Sequence, residues 1–183
     1  MPDIFFTGDT HFGHAKVIEY CKRPFQDVHE MDAELIERWN KRVKPGDLVY
    51  HLGDFALVRN PAEIKTYVRQ LRGQIHLILG NHDQKRLKGL VGFADVTPYK
   101  EITVGEQKII LLHYAMKVWN KSHFGSWQLH GHSHGSLPRD FERKQLDVGV
   151  DVWNYAPISF EEVAKEMEAH TFVPVDHHKG RDE

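Results

Sequence analysis

Five short peptides in this chain are built from metal-ligand side chains: Gly8-Asp9-Thr10-His11, Gly53-Asp54, Gly80-Asn81-His82-Asp83, His113 and Gly131-His132-Ser133-His134. Carboxylate and imidazole together suit zinc, iron, nickel and manganese. Taken singly each peptide is weak, because Gly-Asp after a strand is a common turn, Asn-His-Asp can cap a helix, and buried histidines are ordinary. Their coincidence carries the inference, since each follows an apolar run. In an open α/β sheet the loops at the carboxyl ends of the strands share one crevice, so these peptides should converge. Two Asp, one Asn and four or five His would then meet, more than one tetrahedral ion uses. Two divalent ions roughly 3.5–4 Å apart would use the set, and such a pair can clamp an in-line displacement at phosphorus. The i, i+2 spacing in Asp9-Thr10-His11 and His132-Ser133-His134 puts both ligands on one face of extended chain, while in a loop it lets them straddle two ions.

The elements that must position these peptides are legible from patterning. Apolar runs at 3–7, 48–52 and 74–79 read as strands, and 32–43 and 62–71 read as helices between them, an alternation that signals an α/β fold. Asn60-Pro61 with Glu63 and Ser159 with Glu162 predict helix starts before 62–71 and 159–169, and Asp27 with Glu30 suggests the same device ahead of the second helix. Further on, 101–104 and 108–112 flank Gly105 as a hairpin, followed by strands at 128–130 and 146–150. One domain over 1–175 is expected, with a polar tail at 176–183.

Composition agrees. The 183 residues are 40% hydrophobic, and 24 Lys plus Arg stand against 26 Asp plus Glu, a net charge of −2. That suits one well-packed domain and argues against disorder or a general nucleic-acid coat. The single Cys21 excludes an internal disulfide framework and a Cys-rich zinc module. No apolar run approaches the roughly 18 residues of a membrane span, and Asp3, Asp9 and Glu19 interrupt the first 30 residues. A cytoplasmic protein with no membrane partner is the expectation. Histidine is the oddity, with 14 copies.

The ordered set Asp9-x-His11, Gly53-Asp54, Gly80-Asn81-His82-Asp83, His113 and Gly131-His132-x-His134, running from residue 3 to about 150, resembles the calcineurin-like metallophosphoesterase superfamily, in particular its small prokaryotic or phage-type branch. The resemblance implies a four-layer αββα sandwich, two mixed sheets flanked by helices, around a dinuclear centre. By that likeness Asp9, His11, Asp54 and His134 would hold one ion and Asp54, Asn81, His113 and His132 the other, with Asp54 bridging. Asp54 and Asn81 would thus join His82 in the catalytic set, His82 being the unligated residue that assists the leaving oxygen. Manganese is the first expectation for the two divalent ions, with iron, nickel or zinc as alternatives. Two such ions, two carboxylates and a hydroxide leave about +1, which favours a phosphate anion. A metal-activated water supplies the nucleophile at neutral pH.

Protein phosphatases of this superfamily continue Gly-Asp with Asp-Arg-Gly, whose arginine grips the phosphate. Here Phe55-Ala56-Leu57-Val58-Arg59 follows. A monoester dianion gains more from that charge than a diester monoanion, so a phosphodiester of nucleotide or short oligonucleotide type is expected, with His14 or Arg59 as substitute contacts. The 114–127 segment, pinned between His113 and His132, should rim the site, with Lys117 steering a phosphate and Trp119 stacking a base. Lys85, Arg86 and Lys88 add charge nearby, His51 and His130 read as strand residues behind the site, and Asp147 and Asp151 as partners orienting a ligand histidine. Two other readings compete: a phosphomonoesterase acting on a small metabolite or phosphoprotein, and a catalytically inert protein-binding scaffold. Every ligand position and His82 being present favours an enzyme.

Overall fold

Alternate residues of the first strands face opposite layers, and this sorting builds the molecule. The structure is a computed structural model describing residues 2–60, 62–83, 92–173 and 175. In chain order the elements are β1 (Ile4–Thr7), α1 (Ala15–Cys21), α2 (Val28–Arg42), β2 (Leu48–His51), α3 (Ala62–Gln70), β3 (Gln74–Ile78), β4 (Asp95–Thr97), β5 (Lys100–Val104), β6 (Gln107–Leu111), β7 (Trp127–His130), β8 (Gln145–Asp147), β9 (Ile158–Ser159) and α4 (Phe160–Glu168). One sheet has the order β4-β3-β2-β1-β9 and the other β5-β6-β7-β8. In the first, β1 to β4 run parallel and β9 antiparallel; in the second, β6, β7 and β8 are parallel and β5 antiparallel. Two mixed sheets flanked by helices are therefore present, as the sequence implied.

Register sets which residues meet. Phe5, Val49 and Ile75 are aligned across β1, β2 and β3, and all three belong to a core shared with Met31, Leu35 and Trp39 of α2 and Ile64 and Val68 of α3. Those helix residues recur at four-residue spacing, part of the stripe that an amphipathic helix buries. The neighbouring positions Phe6 and Tyr50 turn the other way, into a second core with Ile109, Leu111, Leu129 and Leu146 of the opposite sheet. Helix α4 contributes Val163 and Met167 to that core and contacts β9, β1 and β8.

Local chemistry explains most element ends. Asp27 accepts from the backbone N–H groups of His29 and Glu30 at 2.8 and 2.9 Å, so α2 starts at Val28, a turn ahead of the apolar pattern. Ser159 and Glu162 form the reciprocal capping box expected of α4. Asn60 Oδ1 accepts from Ala62 N at 3.0 Å, while Pro61 lies outside the described residues. The strand expected over 146–150 is shorter than its pattern. Asp147 Oδ1 accepts from Gly149 N at 2.8 Å, which closes a turn, and Val150–Val152 then form a 3-10 turn. The tail at 176–183 also lies outside the described residues, and among those described no helix is long and apolar enough to cross a membrane.

Leu129 has no exposed surface and joins the two sheets. Leu129→Ala should therefore lower the unfolding free energy by roughly 2–5 kcal/mol, the range for large-to-small core substitutions, read as a reduced urea midpoint with an unchanged m-value.

Candidate metal centre

All five ligand-bearing peptides leave strands at the same end of the molecule, and backbone hydrogen bonds stitch them together. Asp9 N donates to Gly53 O at 2.9 Å and His11 N to Asp54 O at 3.0 Å, continuing the β1–β2 pairing past both strands. Within the second sheet Gly131 N donates to His113 O, extending the β6–β7 pairing, and across the two sheets Val150 N donates to Gly8 O, both at 3.0 Å. Two groups of side chains result, Asp9 with His11 and His134, and Asp54 with His113 and His132, each with candidate ligand atoms within 4.8 Å of one another.

Glycines precede these residues chiefly for space. A Cβ on Gly131 or Gly149 would lie 2.6 Å from Asp9 Oδ2, and one on Gly80 would collide with the Asp54 side chain and backbone. Gly53 adds a conformational need, with φ of +92° and a virtual Cβ 2.6 Å from both Gly80 N and His113 Nδ1. The ligand-type residues carry the unusual backbone themselves: Asp9, His11, Asp54, His132 and His134 have φ between 46° and 67°. Each such non-glycine residue costs on the order of 1–3 kcal/mol, which the surrounding structure must offset.

The donor set fits a cation. His113 Nδ1 lies 2.7 Å from Leu52 O; a carbonyl only accepts, so this nitrogen carries the hydrogen. In the neutral ring Nε2 then presents a lone pair, 3.1 Å from Asn81 Oδ1 and 3.5 Å from Asp54 Oδ2. Three acceptors facing one another call for positive charge among them. On the other side His11 Nε2 is buried without a hydrogen-bond partner, 3.6 Å from the same Asp54 Oδ2. Ligand atoms about 2.0–2.2 Å from a shared ion stand at roughly such separations.

Titration behaviour carries the same message. Burial pushes the Asp9 carboxyl up to about 7, against the pull of His134 and His113, and drives the His11 imidazole down to about 2, into the neutral form a metal requires. For Asp54 burial acts upward, yet a protonated His113 and the His82 backbone N–H outweigh it and hold the group below the usual carboxylate range. His134 is pushed up to about 10: burial opposes protonation, and the Asp151 hydrogen bond, the Cys21 contact and the Asp9 and Asp151 charges prevail. A bound cation meets the demand that protons meet in its absence.

Behind these candidate ligands sits a polar frame that the sequence only partly announces. Asp151 Oδ2 is 2.7 Å from His134 Nδ1, as expected of it, whereas Asp147 bonds to the Gly135 and Gly149 backbone N–H groups. Arg23, whose side chain is fully buried, grips Asp151 through Nε and Nη2, both at 2.8 Å, and donates to the Asp9 and Thr10 carbonyls. Asp83 accepts from the backbone N–H groups of Asp54, Phe55 and Gly80 at 2.7–3.0 Å. Sequence reasoning missed Arg23, which looks like any basic residue between two helices, and read Asp83 only as part of a motif. His51 Nε2 meets Thr10 Oγ1 at 2.9 Å and His130 Nδ1 meets Gly131 O at 2.9 Å, so both sit behind the site.

The remaining expectations divide. His82 is exposed, with Nε2 3.9 Å from Asp54 Oδ2, and its ring centroid lies 5.6 Å from that of His11. His14 occupies the α1 N-cap position without capping it; Nδ1 lies 3.3 Å from His11 Nδ1, and the ring lines the crevice. Trp119 corrects the sequence reading: it is 7% exposed, and its indole N–H donates to Ser126 O at 3.1 Å. Lys117 lines a separate depression with Trp119 and Arg143, and Arg59 is exposed and absent from the crevice lining. The aromatic side chain that the 114–127 segment does bring to the site is Tyr114, its ring 4.6 Å from His132 and its hydroxyl 3.3 Å from Asn81 Oδ1. Lys85, Arg86 and Lys88 lie outside the described residues.

Two outcomes follow from this frame. Manganese at one hundred times its dissociation constant should add about 2.7 kcal/mol to the unfolding free energy, seen as a higher melting temperature that a chelator reverses. Asp151→Asn should weaken metal binding about 10–100-fold, measured by calorimetric titration of the folded variant; unaltered affinity would show that the Asp151–His134 bond does not position the ring.

The description "Calcineurin-like phosphoesterase superfamily domain" matches residues 3–150. An uncharacterized protein of Methanocaldococcus jannaschii is 35% identical over 174 residues, spanning 92% of this chain and 93% of its own. The Gene 66 protein of Mycobacterium phage L5 is 29% identical over 184 residues, spanning 84% and 88%. Among solved structures, a protein of unknown function from Aquifex aeolicus superposes with a TM-score of 0.72 at 26% identity, covering 91% of this chain and all of that one. With the strand-end Asp and His set described above, these matches establish that the chain belongs to the calcineurin-like phosphoesterase superfamily, metal-dependent hydrolases of phosphoric esters.

Proposed function

We propose that this protein hydrolyses a phosphodiester at two divalent ions, manganese first among the candidates, held by Asp9, His11, Asp54 and His134 on one side and by Asp54, Asn81, His113 and His132 on the other. A single observation carries this reading: Asp54 Oδ2 lies 3.6 Å from His11 Nε2 and 3.5 Å from His113 Nε2, one histidine from each group. A carboxylate oxygen so placed can serve both ions. When bound, the ions supply Lewis acidity toward the phosphoryl oxygens and a water acidic enough to attack near neutral pH.

The chain's own residues do the rest. The Leu52 carbonyl fixes the His113 tautomer, and Asp151 fixes that of His134, so each presents Nε2 to the centre. His82 stands at the mouth, 42% of its side chain exposed, and meets the centre through its 3.9 Å approach to Asp54, its backbone bond to Asp54 Oδ1 and its edge contact with the His11 ring. As the oxygen of water bonds to phosphorus and the opposite ester bond breaks, His82 gives a proton to the departing alkoxide. His14, beside His11, faces the same space and contacts the phosphate. A diester is favoured because no Lys or Arg is among the described residues lining the crevice, leaving a second negative charge on a monoester without a guanidinium grip.

The test is a metal-supplemented panel of mono-, di- and cyclic phosphate esters, with Asp54→Ala as the inactive reference. Diesters should turn over faster than the matching monoesters; the reverse order would favour a phosphomonoesterase. His82→Ala and His82→Asn should keep metal and lose about 10²–10⁴-fold in kcat on alkyl diesters, with much smaller losses on nitrophenyl esters, whose leaving groups need little protonation. A His82→Ala enzyme with wild-type rates on an alkyl diester would refute the proton-donor role.

A further inference from the structure

The crevice has a second side whose chemistry the hydrolytic reading does not use. Val17, Tyr20 and Cys21 of α1 and Leu57 from the segment after β2 face the same space as His11, Asp54 and His82, in a volume of about 410 Å³. Val17 is buried and anchors α1 in the core. Tyr20, one turn on, is 69% exposed. Its ring centroid lies 6.4 Å from that of His14, edge to face at 74°, and the His14 ring is again 6.4 Å from that of His82. The Tyr20 ring thus adds a further flat side chain, beside His14, to the histidine rings of the crevice.

We propose that Tyr20 is a specificity-determining residue: it receives the planar base of a nucleotide-type phosphodiester, stacked on its ring, while the phosphate sits over Asp54. The placing of the phosphate rests on the reading given above. Three features select a single nucleotide unit. The volume lies near the lower end of the roughly 300–1,000 Å³ of small-ligand sites, and an exposed aromatic face takes any base without hydrogen-bond readout. No Lys or Arg is among the described lining residues, so none of these would neutralise a second or third phosphate. An acyl chain would leave the hydroxyl-bearing ring and His14 beside it poorly matched. Trp119, the residue whose type and place in the sequence pointed to base stacking, is buried, which leaves Tyr20 as the aromatic ring on this wall.

Calorimetric titration of the manganese-loaded protein with adenosine 5′-monophosphate and with ribose 5-phosphate isolates the base, because the two ligands carry the same phosphate ester. The wild type should bind the nucleotide about 10-fold more tightly or better. Tyr20→Ala should cut that preference to below about 3-fold, and Tyr20→Phe should retain it. Tyr20 is exposed, so neither change disturbs the core. A wild type without preference, or a preference that survives Tyr20→Ala, would overturn the proposal. Binding needs no turnover, so the two readings fail separately. A Tyr20-dependent preference in a protein that hydrolyses nothing would sustain this assignment and refute the catalytic one, while ester hydrolysis without a base preference would do the opposite.

Discussion

The Asp54 carboxylate occupies the point where the ends of β2, β3 and β6 meet, and much of the molecule is arranged around keeping it there. Its Oδ1 accepts from His82 N, and its Oδ2 is within 3.6 Å of imidazole nitrogens from two different strand ends. The backbone beneath is held by Asp83, which accepts the Asp54 and Phe55 N–H groups. Gly80 and Gly53 leave no room for a side chain between these loops. A buried carboxylate is costly unless it is paired, hydrogen-bonded or metal-bound, and this one is surrounded by groups suited to all three.

The same economy governs the other half of the site. Asp9 is fully buried, and both its oxygens accept from His132 N at 2.9–3.0 Å, so the loop after β7 is tied to the loop after β1. Arg23 ties them a second time through Asp151 and the Asp9 carbonyl. These cross-links explain how five non-glycine residues at the centre remain in the left-handed region: the frame determines their backbone more strongly than their own preference does. A site prepared this way has lone pairs already converging, and binding a divalent ion relieves the repulsion among them.

Much of this was legible in the linear chain because strand ends announce themselves. An apolar run that stops at Gly-Asp or Gly-His marks both the end of a strand and the residues that will face the crevice, and parallel pairing brings such ends to one side. The ligand-type residues, His82 beside them and Ser159 as a helix cap could be named for that reason. Where signals were local but the decision was tertiary, reading failed. Trp119 and Lys117 lie between two site residues, yet the indole N–H finds the Ser126 carbonyl and the segment turns away from the crevice. The 146–150 run was apolar enough for a longer strand, but Asp147 bonds back to Gly149 and ends it.

The sequence by itself determined the chemistry and the end of the sheets where it would gather, since ligand type, glycine placement and the alternation of strands with helices are all written residue by residue. Only the tertiary structure decided what surrounds that chemistry. Arg23 is 128 residues from Asp151 and Asp83 is 29 from Asp54, so neither partnership leaves a periodic trace. Which wall Tyr20 faces depends on how α1 docks through Val17, a matter of packing geometry between elements. Residues that act on one another through space after long loops are specified by the fold as a whole, and local pattern carries no record of which of them will meet.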